Sequence, residues 1–105
     1  SGVTVAGQTG VSGSASNQLS SPSGVLVDTS GNIYISDTSN SRIMRWSVGA
    51  DFGVQIAPSL GSNTLYRPYG LRFDRDGALV VVDNWRSIVQ KFAIACRKSL
   101  IISYG

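Results

Sequence analysis

Histidine and glutamate are both missing from these 105 residues, and cysteine occurs once. Without histidine the chain lacks the side chain that most often serves as general base or metal ligand near neutral pH. Six aspartates are then its whole stock of carboxylates. The many serines have no imidazole to activate them and no Gly-x-Ser-x-Gly elbow, so serine-hydrolase chemistry is excluded within this chain. Cys96 has no internal disulfide partner, reads as a small buried hydrophobe, and leaves compartment and localisation unassigned. Long apolar runs are missing too. Nothing approaches the roughly 20 residues that cross a bilayer, and the opening SGVTVAGQTG has neither the basic start nor the apolar block of a signal peptide. No membrane partner is therefore expected.

What remains is 42% hydrophobic and 14% charged, the balance of one small globular domain. The charges are uneven: residues 1–52 carry a net −1 and residues 53–105 a net +4. With a sequence pI near 9.4, an acidic or polyanionic partner fits the second half.

Sliding the chain against itself by 46 residues lays 19–48 without a gap over 65–94. Pro22 meets Pro68, Gly24 meets Gly70, Asp28 meets Asp74, Gly31 meets Gly77 and Asp37 meets Asp83. Between these fixed points apolar type is kept while identity drifts, as in Ile33 over Leu79, Ile43 over Val89 and Trp46 over Phe92. A backbone path is being repeated. The pattern predicts four strands per copy, over 24–27, 33–36, 42–47 and 54–57, then over 70–73, 79–82, 88–93 and 100–103. A further strand is expected over 3–7, from a unit preceding the first copy. The polar, Gly/Ser-rich stretch 8–23 is expected as a surface connection.

Asp28-Thr-Ser-Gly-Asn and Asp74-Arg-Asp-Gly-Ala are expected as tight hairpins, the Asp side chain accepting backbone amides and Gly31 or Gly77 taking a positive φ. Pro22 and Pro68 stand at strand starts, where the missing N–H is harmless. Trp85, Ile88, Val89, Phe92 and Cys96 fall at helical spacing, which offers a helix over 84–97 as the competing reading. The aligned stretch Ser41-Arg-Ile-Met-Arg-Trp-Ser-Val has no such stripe, and two copies of one template share one fold, so strand is expected.

Ile33-Tyr-Ile and Leu79-Val-Val-Val are apolar at consecutive positions and so send apolar groups to both sheet faces. Four-strand units of this length, covered front and back, fit the blades of a β-propeller better than an ordinary two-sheet sandwich. The fold class is all-β. Domain organisation is one segment: 1–18 as outer strand and connection, 19–64 as blade one, 65–105 as blade two.

Pro-x-Gly, Asp-x-x-Gly-Asn-Ile-Tyr and Asp-Thr-x-Asn-x-Arg-Ile, all within 22–46, resemble the NHL repeat. The second copy keeps Pro68-x-Gly70, Asp74-x-x-Gly77 and Asp83-Asn84 but has Arg86-Ser87-Ile88-Val89 in place of Asn-x-Arg-Ile. Ser41 and Ser87 stand where the repeat's name expects histidine. The resemblance implies a propeller of about six blades. Two blades do not close such a ring, so further blades are expected, from a longer chain of which this is a fragment or from copies of itself.

Asp37 and Asp83 open equivalent loops and read as turn-capping residues repeated with the turn, in preference to an acid pair or cation site. Asp74 with Asp76 has too few regularly spaced oxygens for a calcium loop. Arg42 is expected to pair with a nearby Asp at the blade edge. Tyr66, Arg67, Tyr69, Trp85 and Arg86 are expected to gather on one loop face, where aromatics interleaved with arginine suit acidic peptides, stacked bases or phosphates. The expected function is a non-enzymatic scaffold for protein or peptide, with no catalytic residues, metal or cofactor. The alternatives are RNA binding through the basic face, or a piece of a metal-dependent lyase or lactonase whose remaining ligands lie elsewhere.

Overall fold

The computed structural model describes residues 3–58, 65–85 and 87–92. Among the described residues seven strands follow one another: β1 (Pro22–Val27), β2 (Ile33–Asp37), β3 (Arg42–Trp46), β4 (Val54–Ala57), β5 (Pro68–Phe73), β6 (Leu79–Asp83) and β7 (Ile88–Phe92). A 3-10 turn, Thr38–Asn40, joins β2 to β3. The strands form two antiparallel meanders, β1-β2-β3-β4 and β5-β6-β7. These are two blades of propeller type, stacked face to face.

Residues 88–92 form a strand paired with β6 over its whole length, so the helical spacing around Trp85–Cys96 does not yield a helix there. Val89 and Lys91 point away from the face that buries Gln90 and Phe92, the alternation of a strand. The expected strand over 100–103, and Cys96, lie outside the described residues. Residues 3–7 carry no ladder among the described residues, and Val3 and Val5 are exposed. A strand there needs a sheet edge to pair with, and β1 already has β2 on one side and the flank of β5 nearby.

Period-two alternation sorts the core into two layers. Tyr34 and Ile43 from blade one meet Leu79, Val81 and Phe92 from blade two, with Leu26 and Phe73 at the margins. The Tyr34 and Phe73 rings cross edge to face at 5.1 Å and 89°. On the opposite face of blade one, Ile35, Met44 and Trp46 pack beneath Ala6, Leu19 and Ala50. Leu19 brings the Gly/Ser-rich connection onto that face as part of its cover.

The blades approach closely at their first strands. A Cβ on Gly24 would lie 2.3 Å from the Tyr69 carbonyl oxygen, so only glycine permits this spacing.

Candidate functional site

Blade two holds its loop end together through one buried carboxylate. Asp83, at the end of β6, is completely buried; its Oδ2 accepts the Tyr66 N–H at 3.1 Å and its Oδ1 the Arg67 N–H at 3.2 Å. Gln90 Nε2 donates to the same Oδ2 at 3.5 Å, and the Asn84 N–H donates to the Arg67 carbonyl at 3.0 Å. The segment before β5 and the β6–β7 loop are therefore tied to each other. Around this tie Tyr66, Tyr69 and Trp85 are 48%, 37% and 69% exposed. Arg67 is half-buried beside them. Arg86, the fifth residue expected here, lies outside the described residues.

Blade one repeats the arrangement with different side chains. Asp37 is also completely buried and accepts the Ser20 N–H at 2.7 Å and Asn40 Nδ2 at 2.9 Å. Arg42 Nε sits 2.7 Å from Asp37 Oδ2, and the rest of the guanidinium donates to the carbonyls of Ser14, Ala15 and Gln18 at 2.9–3.1 Å. Position 42 is Ile88 in blade two, and Gln90, which aligns with Met44, supplies the donor to Asp83 instead. A polar residue at a position that is apolar in the other copy is the sequence signal by which Gln90 could have been found.

The hairpin turns use the other aspartates. Asp28 Oδ1 accepts the Ser30 and Asn32 N–H groups at 2.9 Å each, and Gly31 takes φ +89°. Asp74 Oδ1 accepts the Asp76 and Ala78 N–H groups at 2.9 Å each, with Gly77 at φ +83°. Burial pushes the Asp28 carboxyl up, but the bonds from Asn32, Ser30 and Tyr34 outweigh it and hold it below the ordinary value. The Ala78 N–H, with Lys91 Nζ at 3.2 Å, lowers Asp74 in the same direction. Tyr34 is raised, by burial first and by the Asp28 charge second.

Among the described residues four hydroxyls of blade one bridge the blades, Ser23 among them with a bond to the Pro68 carbonyl at 3.3 Å. Ser36, Thr38 and Ser41 donate to the carbonyls of Tyr69, Pro68 and Tyr66, the last two at 2.6 Å. Ser41 is held for this at φ +55°, and Ser87 adopts the matching φ of +58°. Among the described residues no three His, Cys, Asp or Glu side chains converge as a metal site. Among the described residues no helix is long and apolar enough to cross a membrane. The buried aspartates Asp37 and Asp83 spend their oxygens on main-chain and side-chain donors, which makes them fasteners of loops.

Residues 19–45 match the NHL repeat, which covers β1, β2 and most of β3. Blade one is therefore similar to an NHL repeat over these residues. No curated protein matches the chain.

Proposed function

We propose that this chain is a non-enzymatic interaction module that binds a protein or peptide segment on the loop end of blade two, through Tyr66, Arg67, Tyr69 and Trp85. The observation that carries this reading is the exposure of three large aromatics around a tie centred on the buried Asp83 carboxylate. Aromatic rings combine large contact area with little side-chain entropy to lose, and so dominate binding surfaces. Arg67 adds a guanidinium suited to carboxylates. The chosen ligand is thus a peptide with acidic and apolar side chains. The corresponding positions of blade one, Ser20, Ser21, Ser23 and Ser39, offer no such surface.

Trp85 is exposed while Trp46 is buried, so quenching or blue-shift of the exposed tryptophan's emission reports binding directly. The test titrates the chain with a panel of Asp/Glu-rich peptides containing leucine or phenylalanine, with charge-matched Gly/Ser peptides as controls. Saturable binding that weakens about tenfold or more in Trp85→Ala and Tyr66→Ala supports the reading. Binding of an oligouridylate in preference to every peptide, with affinity falling steeply as salt rises and lost in Arg67→Ala, would replace it with RNA binding.

A further inference from the structure

We infer that this chain stacks head to tail with copies of itself, the outer face of blade two on one copy seating against the outer face of blade one on the next. The template for this contact is the blade-to-blade interface already inside the chain. There Gly24, Tyr34, Ser36 and Ile43 face blade two, and Gly24 leaves room for the Tyr69 carbonyl. The 46-residue correspondence maps these four onto Gly70, Val80, Val82 and Val89. No sheet covers that second face among the described residues, where Val82 and Val89 are 42% and 64% exposed. A Cβ on Gly70 would meet only Val82 of its own sheet, at 3.7 Å. Gly70 thus keeps, in ordinary strand backbone, the clearance whose use is visible at Gly24.

The receiving surface is written on the same chain. Blade two offers blade one Leu79 and Val81 together with the Pro68 and Tyr69 carbonyls. Their equivalents in blade one are Ile33, Ile35, Pro22 and Ser23, and these line an open groove of about 360 Å³ with Val5 and Val25. Val25 and Val27, on the same face as Ile35 and Ile33, are 66% and 57% exposed. A second copy is the occupant because both halves of the contact stand in register with an interface the chain already forms. Unlike surfaces that meet in this way close into a ring or grow into a filament. Since propellers close with four to eight blades, a ring of two-blade chains holds roughly two to four copies.

Light scattering and sedimentation test this without reference to the loop ligand. The 11.1 kDa chain is expected as a discrete species of roughly two to four copies that dissociates on dilution. Val25→Lys blocks the receiving face and Val89→Lys the inserting face; both positions are exposed, and circular dichroism with Trp46 emission verifies that each variant folds. Each alone weakens assembly about tenfold or more, whereas an equimolar mixture restores a one-to-one dimer, because each chain retains the face the other needs. Gly70→Val is expected to fold and to lose assembly in the same way. A wild-type chain that stays monomeric at several hundred micromolar overturns the inference. So does a Val25→Lys variant that still self-associates, which would mean a face pairing with its own kind.

Discussion

Arg42 performs two jobs with one side chain, neutralising buried Asp37 and anchoring the carbonyls of Ser14, Ala15 and Gln18. Arg42→Ala leaves a buried carboxylate without its counter-charge and frees the connection that covers Met44 and Trp46. Chemical denaturation is expected to show a loss of about 3–5 kcal/mol. Arg42→Lys keeps the charge without the planar fork and should fall between the two. Asp28 supplies a pH test. Its folded carboxyl is held below the ordinary value, so its contribution is fully present above about pH 4 and is lost as pH falls through the lowered folded value. Asp28→Asn should flatten the acid limb of a stability-against-pH curve and leave the neutral limb's slope unchanged. The pairing of Arg42 with a nearby aspartate was legible from its place in the repeated phrase. Its grip on residues 14–18 was not, because a polar Gly/Ser tract has no periodicity from which its path can be read.

At the scale of elements, the turn phrases locate the strands. An aspartate, two polar residues and a glycine fix where each hairpin reverses, and the apolar pairs that follow fix where each ladder begins. That is why β2 and β6 begin where the pattern put them. For β7 the local signal was ambiguous, and only the aligned stretch of the first copy resolved it. The cross-blade bonds of Ser36, Thr38 and Ser41 were illegible, since a hydroxyl in a strand or turn looks the same in sequence whether it meets water or a carbonyl of another sheet. The contrast between two equivalent glycines checks the packing. Gly24→Ala forces β1 and β5 apart and should cost about 1–3 kcal/mol, while Gly70→Ala, with ordinary clearance, should leave the melting temperature of the monomer close to wild type.

The two blades share one core, and that has a consequence for the molecule as a whole. Tyr34 and Ile43 are buried by blade two, and Leu79 and Val81 are buried by blade one. Each sheet loses this shared layer if the other unfolds, so unfolding is expected to be a single transition. In a Trp85→Phe background, Trp46 emission reports blade one alone. Leu79→Ala in blade two should lower its midpoint by the equivalent of about 2–5 kcal/mol, coincident with the loss of circular dichroism. A Trp46 transition that stays in place would mean the blades melt separately. Asp83 accepts the main-chain N–H groups of positions 66 and 67. The pair behaves as an interchangeable insert in a fixed socket: new residues grafted there would re-aim specificity while the scaffold beneath stays the same.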